Sequence, residues 1–90
     1  MVWVVNAELT GGYEVFVEFN DGACGTIDFR AKLSGDHRQI VRDLLEPAMF
    51  KTVRVDYDTL CWDNGVDFAP EYLYEMATTR TQRQAETAIA

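Results

Sequence analysis

Between Tyr13 and Phe19 the chain alternates: Tyr13, Val15, Val17 and Phe19 fall on one side, and Glu14, Phe16 and Glu18 on the other. A period of two marks a strand with one buried face. The Val- and Trp-rich run Val2 to Leu9 reads as a strand before it, with Thr10-Gly11-Gly12 as the turn between them, since glycine reaches positive φ at no steric cost. Asn20-Asp21-Gly22 is a tight-turn signal, and Ala23 to Phe29 returns as a third strand. The first thirty residues therefore predict an antiparallel three-stranded meander.

The period then changes. Ile40, Val41, Leu44 and Leu45 recur at the spacing of one helical stripe, with Ser34 or Asp36 available to cap its start. Pro47 ends or restarts that helix, because proline lacks the amide the ladder needs, and a further turn from Pro47 to Phe50 would plant Met49 and Phe50 in the core. Thr52 to Tyr57 alternates again, Asp58-Thr59 reads as a turn, and Leu60-Cys61-Trp62 as the return strand. Asn64-Gly65 either joins Cys61–Asp63 to Val66–Phe68 as a hairpin or bends the exit from the sheet. Pro70 suits the first position of a helix, Glu71 suits its dipole, and Leu73, Met76 and Ala77 give it a narrow apolar face. Residues 1–78 predict one α+β domain: a small antiparallel sheet made of the meander and a second hairpin, one central helix and one C-terminal helix. Residues 79–90 read as a polar tail or a helix extension.

Composition narrows the class. At 90 residues the chain is one domain, and 48% hydrophobic with 26% charged residues is the balance of an ordinary globular protein rather than a disordered one. Five apolar residues at the start with no basic residue ahead of them do not make a signal peptide, and no run approaches the ~20 apolar residues of a spanning helix. Cys24 and Cys61 form neither a C-x-x-C motif nor a disulfide framework, so both read as reduced thiols in a cytoplasmic protein. The net charge of −7 argues against direct nucleic-acid binding, which needs a basic surface. Residues 36–75 hold nine acids and four bases, whereas 76–90 hold one acid and two bases. The acidity belongs to the folded body.

The candidate chemistry is sparse. Asp56, Asp58, Asp63 and Asp67 are the densest acidic cluster, and Asp56-Tyr57-Asp58 begins like a calcium loop, but Leu60 occupies the next alternate position. His37 is the only histidine and Ser34 the only serine, with no third partner to orient them. Cys24, Cys61 and His37 lack the paired spacing of a zinc site. Glu14 and Glu18 lie on a solvent-facing strand side, and the glycines match neither a dinucleotide nor a phosphate loop. Trp3, Phe16 and Trp62 lack the interleaved bases of a nucleic-acid stacking surface. The expectation is a protein that is not an enzyme and uses no metal or cofactor. Trp62-Asp63-Asn64-Gly65-Val66-Asp67 is the richest segment: a hairpin with Trp62 in the core and Asp67 capping the helix at Pro70, or a surface corner in which Trp62, Asp63, Asn64 and Asp67 meet a partner.

Four motifs carry a resemblance. Val17-Glu18-Phe19-Asn20-Asp21-Gly22 is followed by Ile27-Asp28-Phe29, then by Phe50-Lys51-Thr52-Val53-Arg54-Val55-Asp56. After these comes Trp62-x-Asn64-Gly65-x-Asp67-x-x-Pro70-x-x-Leu73-Tyr74. In order and spacing this resembles the bacterial family called domain of unknown function 2442, over roughly residues 2–75. The polar stretch Ser34–Arg42 departs from the pattern. The resemblance implies a small α+β fold. It also implies a free-standing protein encoded beside a second small protein, in an arrangement like a toxin–antitoxin pair, or a module fused ahead of a helix-turn-helix domain. It supplies no catalytic residues. The partner it points to is a small toxin-like protein, with a homodimer as the alternative for a regulatory module.

Overall fold

The computed structural model describes residues 1–78. Three strands, β1 (Val4–Gly11), β2 (Glu14–Phe19) and β3 (Cys24–Asp28), form an antiparallel sheet in the order β1-β2-β3. The short helices α1 (Arg30–Ser34), α2 (Gln39–Arg42) and α3 (Pro47–Phe50) follow, with a 3-10 turn at Asp43–Leu45. A two-stranded sheet of β4 (Arg54–Asp56) and β5 (Thr59–Cys61) comes next, and a helix over residues 70–78, α4, closes the described chain. The α+β class, the meander and the second hairpin stand as the hydrophobic pattern predicts. The expectation for residues 79–90 lies outside the described residues.

Turn chemistry sets the meander. Gly12, at φ 50°, is the first of two residues between the paired Gly11 and Glu14, a position open to glycine because it has no Cβ. The next turn runs Asn20-Asp21-Gly22: the Phe19 amide donates to the Ala23 carbonyl at 2.9 Å, and Asp21 Oδ1 accepts from the Ala23 amide at 2.9 Å. Val15, Val17, Phe19 and Ile27 are buried on one side of this sheet, so alternation delivers the core face directly. α4 packs on the same side. A Cβ added at Gly25 would lie 2.8 Å from the Ala77 carbonyl oxygen, so the absent side chain is what lets helix and strand approach.

The expected central helix is instead three short pieces. Gly35 follows α1, and Asp36 then organises the chain: its Oδ1 accepts from the Arg38 amide at 2.9 Å and from Arg38 Nε at 3.0 Å, while its Oδ2 accepts from Lys32 Nζ at 3.1 Å and Arg38 Nη2 at 3.0 Å. A side chain that binds the backbone two residues on offers the chain an alternative to the helix. Asp36 thus serves a turn between α1 and α2; the residue flanking α2 is Arg38, which makes no side-chain cap. Of the predicted stripe, Val41 and Leu44 are buried, Leu45 is half-buried and Ile40 is 49% exposed.

Asp36 is buried and its carboxyl is held far below the usual carboxylate range, chiefly by the Arg38 side chain and amide, against the opposing cost of burial. A carboxyl whose folded-state pKa lies below its unfolded value of 3.8 stabilises the fold at pH above that value. The stabilisation declines as pH falls below about 4. Asp36→Asn is therefore expected to lower the Tm at pH 7 and to narrow its deficit against the parent as the pH is taken below 4; thermal unfolding across pH 2–7 checks it, and a constant deficit would contradict it.

Within the single hydrophobic core the aromatic rings form a cluster of their own. Phe29 lies 5.7 Å from Trp62 at 81° and 5.8 Å from Phe68 in a stacked pair, and Phe50 lies 5.7 Å from Trp62. Tyr13 sits edge-on to Phe50 at 5.2 Å and donates its hydroxyl to the Leu45 carbonyl. Edge-on and offset geometries suit the ring quadrupoles. Leu73 and Ala77 of α4 are buried, and Tyr74 packs edge-on to Phe19 at 5.0 Å. The Tyr74 hydroxyl donates to Asp21 Oδ2 at 2.8 Å, which fastens α4 to the β2–β3 turn.

Candidate functional site

The Trp62–Asp67 segment is first of all a structural pin. Trp62 is 1% exposed, and its Nε1 donates to the Phe50 carbonyl at 3.2 Å. Asn64 Nδ2 donates to the Ile40 carbonyl at 3.1 Å and its Oδ1 accepts from the Val66 amide at 3.1 Å. Gly65 has φ 92°, and the Trp62 amide donates to the Val66 carbonyl at 3.0 Å. With the Cys61–Asp67 bridge, this makes the Asn64-Gly65 turn a short hairpin instead of a bend at the sheet exit. Asp67 does not cap α4: the amides of Tyr72 and Leu73 donate to the Ala69 carbonyl, and the Asp67 side chain is exposed. Of the four residues expected at a partner contact, Asp63 and Asp67 face solvent, Asn64 is half-buried and Trp62 lies in the core. The indole that the core takes up is not available to a partner.

What reaches the surface at this end is the β4–β5 hairpin. Tyr57 and Asp58 form its two-residue turn, with φ of 51° and 66°. Two positive φ values describe a type I′ turn, where Asn-Gly is the favoured pair. An L-residue in the left-handed region costs roughly 1–2 kcal/mol, less for the short polar side chain of Asp58, so Tyr57 is the residue held against its own preference. Tyr57 is 87% exposed, and Asp56 and Asp58 flank it. The Val4 amide donates to the Asp58 carbonyl at 2.9 Å, which brings exposed Trp3 and Val5 beside the turn. Arg54 on β4 donates to Asp63 Oδ1 at 2.7 Å and lies 3.9 Å from Asp56 Oδ2. Five of the seven large exposed apolar side chains among the described residues, Met1, Trp3, Val5, Val55 and Tyr57, belong to the start of the chain or to this hairpin. Asp56 and Asp58 flank Tyr57, Asp63 accepts from Arg54 of β4, and Asp67 lies opposite Cys61 of β5; all four are exposed.

The turn expected at Asp58-Thr59 lies one residue earlier, at Tyr57-Asp58, and Thr59 opens β5; the sequence pattern placed the interest of this end in the second turn. The signal was there: Tyr57-Asp58 is an unusual pair for a two-residue loop, but the loop is recognisable only once Asp56 is known to pair with Thr59.

The remaining candidates are dispersed. Among the described residues no three His, Cys, Asp or Glu side chains gather to hold a metal ion, and His37 is exposed. A shallow polar cleft of about 270 Å³ lies between Gly12, Glu14, Asp28 and Arg30 at the other end of the sheet. The Arg30 guanidinium there stacks on the Tyr13 ring at 4.9 Å. Both cysteines are free, Cys24 exposed and Cys61 buried. Burial, then Asp67 and Asp56, push the Cys61 thiol pKa up. Because the thiolate is the reactive form, an alkylating reagent at pH 8 is expected to modify one thiol per native chain, Cys24, and both in denaturant. Mass spectrometry of the alkylated peptides reads this, and labelling of Cys61 at the rate of Cys24 would contradict it.

No helix among the described residues is long and apolar enough to cross a membrane. No curated protein and no solved structure matches the chain. A family model described as a protein of unknown function (DUF2442) matches residues 4–79. That is most of the sequence, and the chain belongs to this family.

Proposed function

We propose that the protein is a non-catalytic protein-binding module, the antitoxin-like member of a small-protein pair in the bacterial cytoplasm, and that it meets a basic partner with its β4–β5 end. A nearly fully exposed tyrosine held in a left-handed turn, flanked by Asp56 and Asp58 on a hairpin that also exposes Val55, carries this reading. Backbone strain kept at one exposed point is characteristic of recognition sites. An apolar centre with a charged rim is the anatomy of a protein interface. Opposite charge on the partner would raise the association rate and select against acidic competitors.

Co-expression with the product of the adjacent gene tests it. A complex that co-purifies, and growth that is restored when both are expressed, are the expected results; no complex and no rescue would overturn the reading. A second reading, a dimerisation module related to the N-terminal part of bacterial transcription regulators, draws on β1, which forms one edge of the three-stranded sheet and exposes Val5. Its register is interrupted between Val4 and Asn6 and again between Leu9 and Gly11, and such bulges turn an edge away from pairing. A monomer in sedimentation at high micromolar concentration would exclude it.

A further inference from the structure

In a two-residue hairpin the pair that closes the loop exchanges both main-chain bonds, and the next residue along turns its amide and carbonyl outward. Asp56 closes this loop with Thr59, and Arg54 pairs with Cys61. Val55 is therefore the residue whose N–H and C=O point away from β5. β5 is occupied on its far side by the bridge from Cys61 to Asp67, so among the described residues β4 is the edge with no strand paired to its outer side. All three of its residues are exposed. Proline or a bulge commonly blunts such an edge; β4 has neither, and although it is only three residues long with a charge at each end, its register runs unbroken. Arg54 is already engaged by Asp63 and Asp56, which leaves the field around the edge negative. A second copy of this chain, at net −7, would bring like charge to it.

We propose that the outer edge of β4 accepts an extended, lysine- or arginine-bearing segment of the partner as an added strand. Val55 supplies the pairing amide and carbonyl, the apolar side chains of the segment lie against Val55 and Tyr57, and its basic side chains face Asp56, Asp58 and Asp63. Main-chain bonds then give affinity and alternate side chains give specificity. The inference rests on the reading of a basic protein partner and adds to it that the recognised element is a strand.

The probe is a seven-residue peptide alternating lysine and valine, with a twin of the same charge methylated at every backbone nitrogen, each titrated into the full chain at low salt. The unmodified peptide is expected to bind, to shift the hairpin amide resonances and to slow hydrogen exchange at the Val55 amide at least tenfold. The methylated twin is expected to bind at least tenfold more weakly. Val55→Pro removes an amide that β5 does not use and is expected to reproduce that loss; should the variant fail to fold, the comparison of peptides on the unaltered protein still decides. Equal binding of the two peptides would overturn strand addition and leave the basic partner standing. Binding by neither would also overturn strand addition, and the wider reading falls only if the co-expressed pair fails as well.

Discussion

Trp62→Ala is expected to remove about 3–5 kcal/mol of stability, the usual cost of truncating a large buried aromatic residue. Domains of this size are stable by only ~5–15 kcal/mol, so the variant should populate unfolded chains measurably at room temperature. The size of the effect follows from what the indole touches: Phe29, Phe50 and Phe68 all have ring centroids 5.7 Å from it. With Trp62 these rings come from four separate points of the chain, and removing the central indole leaves a cavity that no single neighbour can fill. Trp62→Phe separates packing from hydrogen bonding. It keeps an aromatic ring but leaves the Phe50 carbonyl without its indole donor, at an expected cost of about 1–3 kcal/mol. Urea unfolding followed by far-ultraviolet circular dichroism measures both. A Trp62→Ala midpoint within error of the parent would show that the cluster does not depend on the indole.

The same residue shows how far the sequence is readable. The alternation of Tyr13 to Phe19 fixes which side of β2 is buried, because the strand has a wet face and a dry face. β5 has no such contrast: Thr59, Leu60 and Cys61 are all buried. A strand buried on both sides carries no information about where the next residue points, so Trp62 could be placed equally in the core or at a corner. The Asn64-Gly65 dipeptide announces a turn through glycine chemistry alone, yet the bond from Asn64 to the Ile40 carbonyl spans 24 positions and has no local signal.

The central helix breaks into three short pieces for a related reason. Val41 and Leu44 do face the core, as their spacing suggests. Asp36, however, gathers Lys32 and Arg38 around one carboxylate and turns the chain between α1 and α2. Hydrophobic spacing does not register a side chain that competes with the helix for backbone amides. The acidic residues divide in the same way. Asp36 is consumed by the fold, and Asp21 by its bonds to the Ala23 amide and to Tyr74, whereas Asp56, Asp58, Asp63 and Asp67 reach solvent around the hairpin. Net charge alone could not distinguish structural carboxylates from those open to a partner.

That division makes the hairpin turn the place where stability and recognition can be set against each other. The double change Tyr57→Asn with Asp58→Gly installs the pair that a type I′ turn prefers. Relief of the left-handed tyrosine is expected to raise stability by about 1–2 kcal/mol. The Val4 amide still has its acceptor, because the bond is to the main-chain carbonyl of residue 58. Binding is expected to move in the opposite direction. Tyrosine is among the residues whose truncation costs an interface most. Loss of about 2 kcal/mol corresponds to roughly 30-fold in Kd, to which the removed Asp58 charge adds a slower association. Thermal unfolding and titration with the co-expressed partner read the two quantities on the same sample. A variant that is both more stable and undiminished in binding would show that the turn is not where the partner is met. One that is less stable would show that Tyr57 and Asp58 are held by contacts worth more than the strain they relieve. A gain in stability with a 30-fold loss in affinity is what a turn maintained for recognition requires.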